Sequence, residues 1–146
     1  MKRTSLLGFA IIAVFLSVVI LIAGCKKEEE KDTIVRGTAT FPAGTTGDLV
    51  NSKVSLYTSW DNWNNNHPIR FVAVSGSGAT VTFEFKDVLP GNYYLDIWKD
   101  IDNSAGWSTG DYVGWYGSGG LGSPNLTEFQ IADGQTIDVS VSMYIF

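Results

Sequence analysis

From Thr33 to the C-terminus, apolar and polar positions alternate with a period of two, and no window of about ten or more residues carries a helical period. The clearest case is Ile137, Val139, Val141, Met143 and Ile145 alternating with Asp138, Ser140, Ser142 and Tyr144, which predicts a half-buried strand. Val81, Phe83 and Phe85 alternate with Thr82, Glu84 and Lys86, and Tyr93, Leu95 and Ile97 with Tyr94, Asp96 and Trp98. This alternation puts Glu84 and Asp96 on the solvent side of their strands. Between the two segments, Leu89-Pro90-Gly91-Asn92 predicts a turn in which Pro90 presets one angle and Gly91 permits the other. Further strands are predicted over Ile34 to Phe41, Lys53 to Ser59, Ile69 to Ser75 and Leu126 to Ile131, with Tyr112 to Tyr116 extended. Gly117 to Gly122 reads as a mobile surface loop. The pattern implies an all-β chain folded as a single Greek-key β-sandwich of about seven to eight strands over residues 33 to 146.

The N-terminus follows a different rule. Met1-Lys2-Arg3 is cationic, Leu6 to Ala23 is nearly all apolar, and Ala23-Gly24 offers small residues at a cleavage position, which is the make-up of a secretory signal. Ile22-Ala23-Gly24-Cys25 resembles a bacterial lipobox. That resemblance implies removal of residues 1 to 24, a diacylglycerol on the Cys25 thiol and an acylated new N-terminus. The bland alternative is an uncleaved transmembrane anchor, since the apolar run is long enough to span a bilayer. Either reading places the remainder outside the cytoplasm, in a bacterial cell envelope and attached to a membrane. Lys26-Lys27-Glu28-Glu29-Glu30-Lys31-Asp32 then forms a solvated tether with a reach of roughly 25 Å when extended. It also resembles the Lys and acidic cluster of surface-exposed lipoproteins in one group of Gram-negative bacteria, which implies an outer-membrane, surface-exposed position.

Charge and cysteine content narrow the partners. The formal net charge is −5, and it becomes more negative once Lys2 and Arg3 leave with the leader, which argues against nucleic acid. Cys25 is the one cysteine, so the fold has no disulfide to lean on, which favours support from a bound ion.

Gly37, followed later by Phe85-Lys86-Asp87-Val88-Leu89-Pro90-Gly91-Asn92-Tyr93-Tyr94-Leu95, resembles the carboxypeptidase regulatory-like and transthyretin-like sandwich domains over roughly Thr33 to Lys99. The resemblance implies a Greek-key sandwich and says nearly nothing of activity.

Asp100 to Asp111 places oxygen-bearing side chains at the first, third, fifth and twelfth positions of a loop, as in the calcium loop of an EF-hand. It is also similar to dockerin-type calcium loops. The similarity implies Ca2+ held by Asp100, Asp102, Ser104, the Gly106 carbonyl and Asp111, with Ser108 near a water. Ala105 stands where such loops carry Gly, and Asp111 is shorter than the usual Glu. With no helix predicted on either side, the ion would be a structural clip between strands. An ordinary polar loop, with Asp and Asn capping turns and Gly110 at positive φ, is the alternative.

Trp60-Asp61-Asn62-Trp63-Asn64-Asn65-Asn66-His67-Pro68 combines aromatic faces with amide groups, the chemistry that reads sugars. Trp60, Trp63, Asn64 and Asn65 are its candidate ligand contacts, and Trp107, Trp115 and Tyr116 extend the surface if the loops share one end of the sandwich. Alternatively Trp60 or Trp63 plugs the core while the Asn run makes turns, or the aromatics meet an envelope protein. Catalysis lacks a constellation: His67 is the sole histidine, and no nucleophile and base pair is evident. The expectation is a non-enzymatic, lipid-anchored binding or accessory module with a glycan or protein partner; the competing one is a structural or assembly lipoprotein.

Overall fold

The computed structural model describes residues 31–146, so the leader and Cys25 lie outside the described residues. In chain order the elements are β1 (Ile34–Thr40), β2 (Lys53–Tyr57), α1 (Trp60–Asn64), β3 (Arg70–Ala73), β4 (Thr80–Phe85), β5 (Gly91–Lys99), β6 (Tyr112–Trp115), β7 (Gly117–Ser118), β8 (Asn125–Leu126), β9 (Phe129–Ile131) and β10 (Thr136–Ile145). Among the described residues no helix is long and apolar enough to cross a membrane.

Eight strands form one mixed sheet in the order β3-β2-β5-β6-β10-β1-β4, with β9 added to β5 through Gly91–Tyr93. Among the described residues β1–β10 is the one parallel pair of this sheet. Ser75, two residues beyond β3, bridges to Thr82 of β4, which brings the two terminal strands of that order together. The sheet therefore folds back on itself as a β-sandwich. β4 crosses to the edge beside β1 and β5 returns beside β2, a connection of Greek-key type. Ser142 of β10 pairs with Thr40 of β1 and with Trp115 of β6, so β10 and β6 join the two halves of the sheet.

The inward side of each alternating segment makes one core. Val35, Ala39, Val81, Phe83, Phe85, Val139, Val141 and Met143 meet Val54, Leu56, Tyr93, Leu95 and Ile97 in a single buried cluster. Each fully buried Leu or Ile there contributes about 1.5–3 kcal/mol. Gly37 keeps this interior closed: a Cβ on it would lie 2.8 Å from the Phe83 ring and closer still to the Val139 carbonyl.

The backbone departs from the sequence pattern at four places. Gly91 is not the left-handed residue of the β4–β5 connection; Asp87 is, at φ 53°, and Gly91 already pairs with Ile131. Gly117 to Gly122 contains a hydrogen-bonded strand, because β7 pairs with β8 to form a small two-stranded sheet. The segment Leu126 to Ile131 divides between β8 and β9, which have different partners. The Trp and Asn loop contains a short helix, capped when Ser59 Oγ accepts from Asn62 N–H at 3.1 Å.

The outward side of the sheet is not bare. Val113, Trp115 and Leu126 form a second buried cluster, with Trp63, Tyr94, Trp98, Trp107, Leu121 and Tyr144 packed against it. α1, the β5–β6 loop and the β7–β8 hairpin thus cover the outer face of β5 and β6 with aromatic side chains.

Candidate functional site

The register of β5 builds the floor of this outer layer. Asp96 lies opposite Ser55 of β2 on one side and Trp115 of β6 on the other, so these three positions share a face. Asp96 is 5% exposed, contrary to the solvent-facing position its alternation predicts. The physical reason is that α1 and the β5–β6 loop fold over that face and remove it from water.

Two side-chain donors reach the carboxylate. Trp63 Nε1 donates to Oδ2 at 3.0 Å, and the Tyr57 hydroxyl is shared between Oδ2 at 3.2 Å and Oδ1 at 3.3 Å. Burial pushes the Asp96 carboxyl up from the usual range to about 7, while the hydrogen bonds from Trp63 and Tyr57 pull it partly back. Burial beside Asp96 also raises the Tyr57 phenol, which keeps it a donor.

Above Asp96 lies a cavity of about 280 Å³ lined by Trp63, Asn64, Asn66, Trp98, Ala105, Gly106 and Trp107. A second cavity, of about 610 Å³, adjoins it and shares Asn66, Asp96, Trp98 and Ala105. The aromatic rings run in sequence: Trp60 to Trp63 at 4.7 Å, Trp63 to Trp107 at 6.0 Å, Trp107 to Trp115 at 6.4 Å and Trp115 to Tyr144 at 5.1 Å between centroids. The two loops do share one face.

Of the residues singled out in the sequence, Trp63, Asn64 and Trp107 line the smaller cavity. Trp60 is 40% exposed beside Trp63. Asn65 caps α1, its side-chain amide donating to the Asp61 carbonyl at 2.7 Å. Trp115 is buried beneath the cavity, its indole N–H on the Ser118 carbonyl, and Tyr116 packs edge-on against Phe129. Asp96, Trp98 and Asn66 are lining residues that sequence reasoning missed as ligand contacts. The available signal was the outward stripe Tyr94, Asp96 and Trp98, too aromatic for a face left in water.

The acidic loop forms the neighbouring wall. Carboxylate oxygens of Asp100, Asp102 and Asp111 lie within 4.8 Å of one another, an arrangement that could hold a metal ion. Asp111 is fully buried: its Oδ2 accepts from Trp98 Nε1 at 3.1 Å and Ser108 N–H at 3.0 Å, and its Oδ1 from Ile101 N–H at 2.8 Å. Asp100 accepts from the N–H groups of Ser104 and Ala105, and Asp102 from Ser104 N–H and the Ser108 hydroxyl. Hydrogen bonds from Ser104 and Ser108 hold the Asp102 carboxyl below its usual range. Ser104 Oγ donates to the Gly106 carbonyl at 2.9 Å, so four of the five expected oxygen donors carry hydrogen bonds from within the loop and the fifth is tied to one of them. Ala105, in place of the usual Gly, itself takes the left-handed conformation at φ 62°. Strands β5 and β6 flank the loop directly.

His67 is exposed and lines neither cavity. Glu84 faces solvent on β4, where Lys86 Nζ approaches it at 3.5 Å.

A scan against protein-family models finds no match to this chain, and comparisons with curated proteins and with solved structures find none either.

Proposed function

We propose that the chain is a non-enzymatic, lipid-anchored binding module of the bacterial cell envelope, attached through Cys25, in which the Trp63–Trp107 cleft contacts a glycan. The observation that supports it best is the cleft itself: indole rings from two loops line a cavity whose floor is the Asp96 carboxylate and whose wall includes Asn64 and Asn66. Flat rings suit the C–H face of a pyranose, and the amides both donate to and accept from hydroxyls. The acidic loop, in this reading, binds calcium as a clip through Asp100, Asp102, Ser104, the Gly106 carbonyl and Asp111, and so fixes the loop that carries Trp107.

The test is retention of the full chain, in detergent, on immobilised envelope glycans. Trp63→Ala should abolish retention; equal retention of wild type and variant would remove the cleft from the binding reaction.

A second reading is a structural or assembly lipoprotein whose aromatic loops meet another envelope protein. The exposed Ile69 and Phe71, at 53% and 60%, favour it, since both lie on or beside edge strand β3. Loss of tryptophan exposure on adding an envelope protein extract, without any glycan effect, would support this reading over the first.

A further inference from the structure

Asp96 has no cationic partner among the described residues, where the ion pairs are Arg36 with Asp138 and Lys86 with Glu84. A buried carboxylate ordinarily requires one, or else gives up its charge. Lys53 and Lys99 line the larger adjoining cavity, but both are engaged elsewhere. The Lys99 ammonium donates to the Asp48 carbonyl at 2.6 Å, and that of Lys53 sits 5.6 Å from the Phe71 ring centroid.

The smaller cavity is more selective in its chemistry. Asp96 is the one ionisable side chain among its lining residues, and Trp63, Trp98 and Trp107 surround it. Indole faces attract cations, and more so where water is excluded. Oδ1 of Asp96 has a single contact, at 3.3 Å, to a hydroxyl that it shares with Oδ2, so acceptor capacity remains on the carboxylate. A carboxylate with spare acceptor capacity beneath three indoles matches an organic ammonium group. The amides of Asn64 and Asn66 add partners for hydroxyls beside it.

Resting on the glycan-binding reading above, we propose that the cleft selects a sugar carrying a free, protonated amine. The ammonium is held by Asp96, and the ring by the indoles of Trp63 and Trp107.

The full chain in detergent would be titrated, by calorimetry and tryptophan fluorescence, with three β-1,4-linked hexasaccharides that differ at carbon 2. These are the oligomers of glucosamine, N-acetylglucosamine and glucose. The glucosamine oligomer should bind roughly tenfold or more tightly than the other two, and Asp96→Asn should bring the three level. Equal binding of all three by the wild type would overturn ammonium selection while leaving the glycan reading intact. No binding of any would overturn both. A preference that survives in a folded Asp96→Asn variant would place the cation elsewhere and overturn the assignment to this carboxylate. Should that variant not fold, the wild-type ranking still decides, and Trp107→Leu, at a half-buried position, should reduce the same preference.

Discussion

Trp63 and Asp96 are joined by an indole N–H to carboxylate hydrogen bond of 3.0 Å across 33 residues of sequence. One residue sits in a short helix and the other in the centre of β5, so the bond fastens the α1 loop onto the outer face of the sheet. Because it stabilises the charged form of Asp96, removing the donor has a defined electrostatic effect. Trp63→Phe should raise the Asp96 pKa above its value of about 7. Carboxyl-carbon NMR of labelled aspartate reads this directly, and an unchanged or lowered midpoint would rule the bond out as a source of stabilisation.

Stability should fall with rising pH on account of Asp96. Its folded pKa of about 7 stands above the unfolded value of about 3.9, so the native state keeps a proton that the unfolded chain has released. The stability of the neutral form is fully present below about pH 4, declines by about 1.4 kcal/mol per pH unit toward pH 7, and is lost above it. Asp96→Asn should lack this slope. Chemical denaturation of both chains at pH 5 and pH 8 measures it; parallel pH profiles would contradict the buried carboxyl's role.

The two ends of the acidic loop should respond differently to mutation. Asp111→Ala removes a fully buried acceptor and leaves the part-buried donors of Trp98, Ser108 and Ile101 without their partner, a loss of about 1–3 kcal/mol in total. That loss should be present with or without calcium, and a melting temperature close to wild type would refute it.

Asp102 is exposed, and its replacement by Ala should cost little stability in chelator. Calcium should raise the melting temperature of the wild type and fail to do so in Asp102→Ala. A wild type indifferent to calcium would make the loop a hydrogen-bonded turn held by its own Asp side chains.

Gly37→Ala tests how closely β1 fits between its neighbours β4 and β10. The added methyl group meets the Phe83 ring and the Val139 carbonyl, an overpacking that should cost about 1–3 kcal/mol in urea unfolding. A neutral result would mean that β1 and β10 can shift apart without loss.

Much of the sandwich was legible from Val81 to Ile97 and from Ile137 to Ile145, because a side chain on a strand can face only two ways and the core selects one. Trp63 and Trp107 were recognisable as candidates by residue type alone. Their convergence was not legible, since it depends on how α1 and the β5–β6 loop lie on the sheet.

Three of the four backbone departures share a cause. The helix at Trp60–Asn64 rests on local bonds, but Gly91, the Gly117 to Gly122 segment and the division between β8 and β9 depend on which distant backbone partner lies within reach. Local sequence carries little of that information.

By itself, then, the sequence determined the inward face of β4, β5 and most of β10, the all-β class and the acidic loop, because these follow from side-chain alternation and spacing along one chain. Only the tertiary structure decided that Asp96 is buried. Alternation assigns it to the face opposite Leu95 and Ile97, but whether that face meets water depends on loops distant in sequence. Once Trp63, Trp98 and Trp107 close over it, a side chain patterned for solvent becomes a carboxyl held near neutrality at the base of an aromatic cleft.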